Sequence, residues 1–297
     1  MSRLKLLLPC VLAAGCKFGD DRALGSSVDA AIDAVLPGAG HLLLTEVKSV
    51  NGAPAGAGTD EFLEIWNPTN REISLANYYL SDFVDYWKVP ERTLPVVQAD
   101  FVVRFPDDAV IASDQVITIA TNDVVFLSEF GKAANYALNL GAPAGATKAF
   151  RERKVVDTQL PGFTDTGEYI VLFYWDGVSD NVKDVDMVVS GATNTVTPAN
   201  QLQSKMPVDG PDADTTATPY KAESGQLGLG MFTTLSSPGG ADLSYKRRTL
   251  ESGVESQLGT GNGISGDDET SEQLKSSWDG DSTKPYSAPT PGMVPAF

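Results

Sequence analysis

After residue 41 the apolar residues of this chain come in short runs, rich in β-branched and aromatic side chains, that are separated by clusters of Gly, Pro, Asn and Asp. Such a pattern is typical of β-strands joined by turns. Successive side chains of a strand point to opposite faces. One run therefore places Phe62, Glu64 and Trp66 on one face and Leu63 and Ile65 on the other. A chain built from such runs buries its apolar side chains by packing sheets together.

The elements predicted along the chain are strands, apart from one short helix. The helix spans residues 124–130, where Val124, Val125, Leu127 and Phe130 repeat at helical spacing. The strands are predicted at residues 42–47, 61–66, 72–75, 78–81, 101–105, 116–120, 169–174, 182–189 and 243–248. The sequence therefore predicts an all-β fold.

The amino terminus has the layout of an export signal, with a positive start, an apolar run at 6–12 and small residues before Cys16. The apolar run is shorter than the roughly 20 residues that a membrane-spanning helix needs, so we predict that it is removed. Residues 12–16, Leu-Ala-Ala-Gly-Cys, resemble the lipobox of bacterial lipoproteins. That resemblance implies cleavage after Gly15 and a lipid on Cys16 that anchors the protein to a membrane. The alternative is an ordinary cleaved signal with Cys16 as a spare thiol.

Residues 16–40 are predicted to form a flexible tether, because they are rich in Ala, Gly, Asp and Ser and show little periodicity. In the lipoproteins that the chain resembles, a residue such as Lys17 after the cysteine implies the outer membrane of a Gram-negative bacterium. Cys10 lies in the predicted signal, and Cys16 is consumed by lipid. The mature chain is therefore expected to form no disulfide and to be stabilised by packing.

The chain is acidic, with a formal net charge of -17, and this disfavours binding to nucleic acid. One basic cluster is formed by Lys246, Arg247 and Arg248. Because the rest of the surface is acidic, we predict that these residues form a solvated face of one strand. Phosphate binding is the alternative.

Three blocks of sequence carry a resemblance to a known domain family. They are residues 44–47, 60–68 and 73–82, then 165–172 with the strand that follows, and finally 243–248, Trp278 and 290–292 (Thr-Pro-Gly). In this order they resemble the lamin tail domain, an immunoglobulin-like β-sandwich. The resemblance implies a sandwich of this type over residues 41–297.

A sandwich of this kind needs on the order of 100 residues, far fewer than 41–297 provides. The excess falls at about 83–110, 131–163 and 191–242, which are rich in Pro, Gly, Ala and Asp. We predict that these segments are inserted loops, where binding residues are often found. For residues 209–219 the alternative is poorly ordered filler.

Few residues have the chemistry of a catalytic site. His41 is the only histidine, and it lies at the predicted tether boundary, which is a mobile position for a triad or a zinc site. Glu64 and Asn67 end a strand, where their side chains can satisfy backbone groups as readily as bind a ligand. Trp66 and Trp278 are predicted to be packing residues. We predict no catalytic residues and no enzyme activity.

Calcium is the one cofactor that the sequence leaves open. Asp209, Asp212 and Asp214, and separately residues 267–269, place carboxylates in loops. Neither run has the spacing of a calcium-binding loop. We predict solvated loops without a metal or other cofactor, with calcium binding as the alternative.

These observations together predict a non-catalytic, lipid-anchored binding or scaffolding module of the bacterial cell envelope. Its expected partners are the membrane, through the lipid on Cys16, and an envelope protein or glycan. The alternative is a carbohydrate-active or phosphoester hydrolase that uses loop carboxylates. Fold alone is poor evidence for either.

Overall fold

The computed structural model describes the chain in segments that begin at residue 40. They are residues 40–53, 59–83, 85–92, 100–139, 147–150, 152–155 (backbone only), 162–163, 169–190, 206–220, 240–250, 263–264, 274–279 and 285–297. The predicted signal, Cys16 and the tether to residue 39 lie outside the described residues. So do the acidic residues 267–269.

The regular secondary structure of the described residues is mainly strand, in agreement with the predicted all-β fold. The strands are β1 (Leu43–Lys48), β2 (Phe62–Trp66), β3 (Ile73–Ser74), β4 (Tyr78–Ser81), β5 (Phe101–Arg104), β6 (Val110–Ile111), β7 (Val116–Asn122), β8 (Tyr136–Asn139), β9 (Lys148–Ala149), β10 (Glu152–Val155), β11 (Tyr169–Tyr174), β12 (Lys183–Val189) and β13 (Tyr245–Lys246). The helices are a 3-10 helix (Tyr86–Glu91), α1 (Asp123–Phe130) and α2 (Leu274–Ser277). No helix among these residues is both long enough and apolar enough to cross a membrane.

The strands form two large sheets and one small one. The six-stranded sheet has the order β13-β1-β2-β7-β8-β9, the five-stranded sheet has the order β10-β5-β4-β11-β12, and β3 pairs with β6. The β7–β8 and β8–β9 pairs are parallel, whereas the other ladders are antiparallel. Helix α1 connects β7 to β8, as a parallel pair requires a crossover connection.

Helix α1 begins and ends where its sequence supplies caps. The Asn122 side chain accepts a hydrogen bond from the Val125 N–H at 3.0 Å, so it satisfies a donor that the first helical turn leaves unpaired. Gly131 follows the helix with φ +66 and donates its N–H to the Leu127 carbonyl. A residue with positive φ at this position is the common way for a helix to end. The short helix predicted at 124–130 is thus confirmed.

Both large sheets contribute to one hydrophobic core. Leu63 and Ile65 of β2 share a cluster with residues of β11 and β12, which belong to the other sheet. Phe62 instead packs edge-on against Phe126 and Phe130 of α1, in a second cluster. The predicted alternation along β2 is therefore confirmed. We call the face that carries Phe62, opposite the shared core, the outer face.

The segments predicted as inserted loops contain regular structure. The segment 83–110 includes the 3-10 helix and β5, and 131–163 includes β8, β9 and β10. Strands such as β9 and β10 carry Lys, Arg and Glu, so their sequences lack the apolar alternation by which strands are recognised. Strand β5 is the strand predicted at 101–105, so the prediction of loops is wrong only for the 3-10 helix of the first segment and for the strands of the second.

Within the predicted insertion at 191–242, the structure describes residues 206–220 and 240–242. Residues 206–220 form a folded loop that is closed by paired backbone hydrogen bonds between Val208 and Thr218. Asp180 holds this loop by accepting hydrogen bonds from the Gly210 N–H and the Thr218 hydroxyl. The alternative of poorly ordered filler is therefore wrong for this segment.

Candidate functional site

A pair of buried glutamates lies on the outer face, where β1 and β2 run side by side. Glu46 and Glu64 are direct partners in the antiparallel register, so their side chains point to the same face. Glu46 is 3% exposed and Glu64 is 1% exposed. Two carboxyl groups buried so close together require hydrogen-bond donors or a proton.

Glu46 receives its donors from two distant parts of the chain. Its Oε1 accepts hydrogen bonds from the Ser244 hydroxyl at 2.7 Å and from the Thr290 N–H at 2.9 Å. Its Oε2 accepts one from the Thr290 hydroxyl at 2.9 Å. The ammonium group of Lys246 lies 3.9 Å from Oε1. Both oxygens of Glu46 are thus engaged by residues that follow it by about 200 positions or more.

Glu64 has fewer donors and a perturbed pKa. Its Oε1 accepts hydrogen bonds from the Thr118 hydroxyl at 2.8 Å and from the Gly292 N–H. Burial, and after it the charge of Glu46, raise the pKa of Glu64, while the two donors and Lys132 oppose the rise; the result is a pKa of about 8 instead of the ordinary 4.5. A pKa of about 8 keeps Glu64 mostly protonated at neutral pH. Because Oε1 accepts both bonds, the proton belongs on Oε2.

Residues 285–297, which we call the C-terminal segment, bring these donors to the outer face. A turn in this segment has the Met293 N–H donating to the Thr290 carbonyl, with Pro291 and Gly292 in its central positions. Gly292 has φ +77, as the third residue of a type II turn requires. The turn places the Thr290 and Gly292 N–H groups over the two glutamates. Farther along, the ring of Phe297 contacts Trp66 with centroids 5.5 Å apart.

A cavity of about 180 Å³ opens between the C-terminal segment and the sheet. Glu46, Glu64 and Thr45 contribute polar walls, while Met293 and Val294 contribute an apolar rim. The complete lining consists of Thr45, Glu46, Glu64, Lys246, Arg247, Arg248, Thr290, Met293, Val294, Pro295 and Ala296. This cavity is our candidate functional site.

The basic cluster at one side of the cavity is only in part the solvated face that we predicted. Arg247 is 3% exposed, and its guanidinium donates to both carboxylate oxygens of Asp186 at 2.8 and 2.7 Å. It also donates to the Leu44 carbonyl and lies over the ring of Trp278, 5.0 Å from its centroid. Asp186 belongs to β12 of the other sheet, so this ion pair ties the two sheets together.

The neighbours of Arg247 also face carboxylates. Arg248 forms an ion pair with Asp279 through two of its guanidinium nitrogens. Lys246 donates to the Ala288 carbonyl at 2.5 Å and lies near Glu46. The prediction of a solvated face is wrong for Arg247, which is buried, whereas the side chain of Arg248 is 39% exposed and that of Lys246 is 17% exposed. Each of the three cations has an acidic partner far away in sequence. The same pairing weakens the case for a phosphate site here.

The structure separates Glu64 from Asn67, which the sequence analysis had considered together. The Asn67 amide is fully buried and donates to the carbonyls of Arg71, Ile111 and Ala112. Its oxygen accepts from the N–H and the hydroxyl of Thr69. Asn67 therefore organises two turns, whereas Glu64 faces the cavity.

The predicted packing residues are buried, and so is the single histidine. Trp66 is 4% exposed and donates its indole N–H to Asp114 at 3.0 Å. Trp278 is also buried. His41 lies two residues before β1 and is buried, with its Nδ1 2.9 Å from the Leu42 carbonyl oxygen. The expectation of a mobile position for His41 is therefore wrong.

The acidic loop residues meet in a different combination from the one considered in the sequence. Asp209 and Asp212 approach Asp180, with one carboxylate oxygen from each lying within 4.8 Å of the others. Asp214 instead accepts the Thr216 N–H at 2.7 Å. Hydrogen bonds from Thr218 and Gly210 lower the pKa of Asp180. Asp180 lies in the turn between β11 and β12, and its sequence context contains no metal-binding pattern.

Of the residues that line the cavity, the sequence pointed to Glu64 and to the basic cluster. Glu46 and Thr290 were quoted in the first and last blocks, without a role for either. Their contact spans 244 positions, so no local pattern could pair them. A useful signal would have been two acidic residues inside otherwise apolar strands, since a buried carboxylate needs a partner.

Comparisons with known proteins add little to these observations. No protein-family model matches the chain, and no curated protein matches it. Among solved structures, the chain is similar to a DUF4876 family protein from Bacteroides thetaiotaomicron VPI-5482. The two are 16% identical over 86% of this chain and 72% of that chain, with a TM-score of 0.41. A likeness of this degree leaves the function of this chain to be argued from its own residues.

Proposed function

We propose that the protein is a non-catalytic, lipid-anchored binding or scaffolding module of a bacterial cell envelope, with an envelope protein or a glycan as partner. Its domain is an immunoglobulin-like sandwich of the lamin tail type. The anchor is Cys16, and the membrane it enters is the outer membrane of a Gram-negative bacterium.

One observation carries the domain assignment. The blocks that resemble lamin tail domains are far apart in sequence, yet the first and last meet at the cavity through Thr290 on Glu46 and Gly292 on Glu64. If each block resembled the family only by chance, there would be no reason for the first and last blocks to be in contact. The core shared by two sheets also supports a sandwich.

The use of the polar residues supports a binding role. Both oxygens of Glu46 hold the C-terminal segment, Asn67 holds two turns, and Arg247 joins the sheets through Asp186. Residues that hold the fold together in this way are poor candidates for proton transfer, because they would have to break structural hydrogen bonds in each turnover. A rigid scaffold that presents loops is a common arrangement for recognition.

The anchor is tested by substituting the two cysteines separately. We expect Cys16→Ala to abolish acyl labelling and to release the protein into soluble fractions, because the lipid is attached through that sulfur. The matched control is Cys10→Ala, which changes a residue of the predicted signal and should leave labelling intact. Membrane retention of Cys16→Ala would refute the anchor. A pull-down from envelope extracts then identifies the partner.

A hydrolase is the second candidate function, and Glu64 is the observation that favours it. A protonated carboxyl group beside a second carboxyl group is the arrangement that many glycoside hydrolases use. The bonds that occupy Glu46 argue against it. The test is a screen of polysaccharides and phosphoesters, with and without calcium, using wild type and Glu64→Gln. Turnover by wild type that is lost in the variant would overturn the non-catalytic proposal.

A further inference from the structure

We propose that Lys48 and Asp60 react with each other in the folded protein and become joined by an amide bond between their side chains. Lys48 is the last residue of β1, and Asp60 lies two residues before β2. The bond ties the end of one strand to the residues that lead into the next. This modification goes beyond the proposed binding role and does not depend on it, because it concerns the domain itself and not a partner.

Both side chains are enclosed by the fold. The ammonium nitrogen of Lys48 lies 2.8 Å from Oδ1 of Asp60, and the two side chains are only 2% and 3% exposed. Phe62, which is opposite Lys48 in the register of β1 and β2, is also fully buried. An ion pair buried in this way has lost the hydration of both charges, and the attraction between them often fails to repay that loss. Conversion of the pair to a neutral amide removes both charges.

The hydrogen bonds around the pair indicate which atoms react. Lys48 Nζ donates to the Val50 carbonyl at 2.6 Å as well as to Asp60, so the nitrogen is held beside the carboxylate. The Gly52 N–H donates to Asp60 Oδ1 at 2.9 Å. Oδ1 is therefore the oxygen that stays, because a backbone donor stabilises it when it gains charge. Both hydrogen bonds that the described residues make to this carboxylate end on Oδ1, which leaves Oδ2 as the oxygen that departs.

The reaction is a condensation within the pair and needs no co-reactant. A proton passes from the Lys48 ammonium group to the Asp60 carboxylate. The amine lone pair then attacks Cγ and forms the C–N bond, while an electron pair of the carbonyl moves to Oδ1. When the carbonyl re-forms, the bond from Cγ to Oδ2 breaks, and Oδ2 leaves as water with the transferred proton and a second proton from the nitrogen. Groups that are held in reactive contact behave as if one of them were present at about 10⁵–10⁸ M, so folding itself promotes the step.

A second lysine–aspartate pair provides a comparison within the same chain. Lys88 Nζ lies 3.1 Å from Asp85 Oδ2, but these side chains are 31% and 36% exposed. Water stabilises both charges at such a position, so this pair should remain ionic. The two pairs have the same chemical groups at similar distances and differ in burial. Burial is therefore the property that distinguishes the pair that we expect to react.

The test is digestion of the full chain with trypsin, which cleaves after Lys and Arg, followed by mass spectrometry. The chain is first denatured, so that burial alone cannot protect Lys48. Between Arg22 and Arg71, Lys48 is the only cleavage site, and an amide bond on its side chain blocks cleavage there. We therefore expect one peptide, residues 23–71, with a mass that is lower than its sequence mass by one water. This peptide lies beyond Cys16, so the result does not depend on the predicted signal cleavage or lipid.

The other outcomes would overturn the bond. Two separate peptides from the wild type, 23–48 and 49–71, would show that Lys48 is unmodified, and a joined peptide of full mass would show only missed cleavage. Lys48→Arg keeps a cation that cannot form this amide bond, so it should give the two separate peptides. A joined peptide that lacks one water in this variant would contradict the assignment to Lys48. The matched control is Lys88→Arg, in which the joined peptide should form as in the wild type, and its loss there would contradict a bond that needs only Lys48 and Asp60.

Discussion

Replacing Glu64 by Gln should stabilise the protein, by an amount that grows with pH. The folded state retains a proton on Glu64 up to about pH 8, whereas the unfolded chain releases it near 4.5. Between these values folding must take up a proton, so the stability of the wild type falls as pH rises through this window. Gln is neutral at every pH. Its carbonyl can accept the bonds from Thr118 and Gly292 that Glu64 Oε1 now accepts.

The magnitude follows from the difference between the two pKa values. At about 1.36 kcal/mol per pH unit, folding at pH 7 costs the wild type about 3 kcal/mol, which is 1.36 multiplied by the difference between 7 and 4.5. Above pH 8 the cost reaches its limit of about 5 kcal/mol, from the full difference between 8 and 4.5. Below pH 4.5 the two proteins should be equally stable.

Urea unfolding at a series of pH values between about 4 and 9 measures this difference directly. The decisive quantity is the free energy of unfolding of Glu64→Gln minus that of the wild type. Other titrating groups contribute equally to both proteins and cancel in this difference. One of them is Asp100, because burial raises its pKa to about 6. Glu72→Gln, at an exposed position, controls for the change in net charge. Parallel pH profiles for wild type and Glu64→Gln would show that Glu64 titrates normally and that the reasoning is wrong.

Two further perturbations test the surroundings of the cavity by urea unfolding. Arg247→Met should lower the free energy of unfolding by about 3–5 kcal/mol, because Asp186 is left buried without its cation. Adding Asp186→Leu to this variant should restore part of the loss. If the losses of the two substitutions simply add, the two residues do not form a direct pair. Gly292→Ala should cost about 1 kcal/mol because φ is +77. Gly131→Ala, at φ +66, should lower the free energy of unfolding by a similar amount. Full stability in either variant would mean that the backbone there can leave the left-handed region.

The sequence was sufficient for elements whose signal is local. Phe62 and Leu63 alternate in a run that ends at a turn, and the structure places them on opposite faces of β2. The helix at 124–130 was recognisable because its apolar residues repeat within two turns. In both cases the evidence lies within about ten residues, the range over which periodicity is informative.

The parts that were missed depend on partners far away in the chain. Arg247 looks like a surface residue until Asp186, which lies 61 positions away, is placed beside it. Strand β9 has Lys148 and little apolar pattern, and it joins the sheet only because β8 offers a free edge. Glu46 behaves in the same way, since its donors come from residues 244 and 290. Contacts with distant residues determine the structure at such positions, and the local sequence pattern does not show these contacts.

The contact between Glu46 and Thr290 also sets when folding can finish. Strands β1 and β2 come early in the chain, but the part of their outer face that carries Glu46 and Glu64 is not fully covered until residues 290–292 reach it. Contacts between residues so distant in sequence are associated with slow folding. Until that contact forms, the folding chain exposes this part of the two strands, to which a chaperone that holds unfolded chains can bind. A shortened chain would keep that face exposed and be recognised by proteases as unfinished.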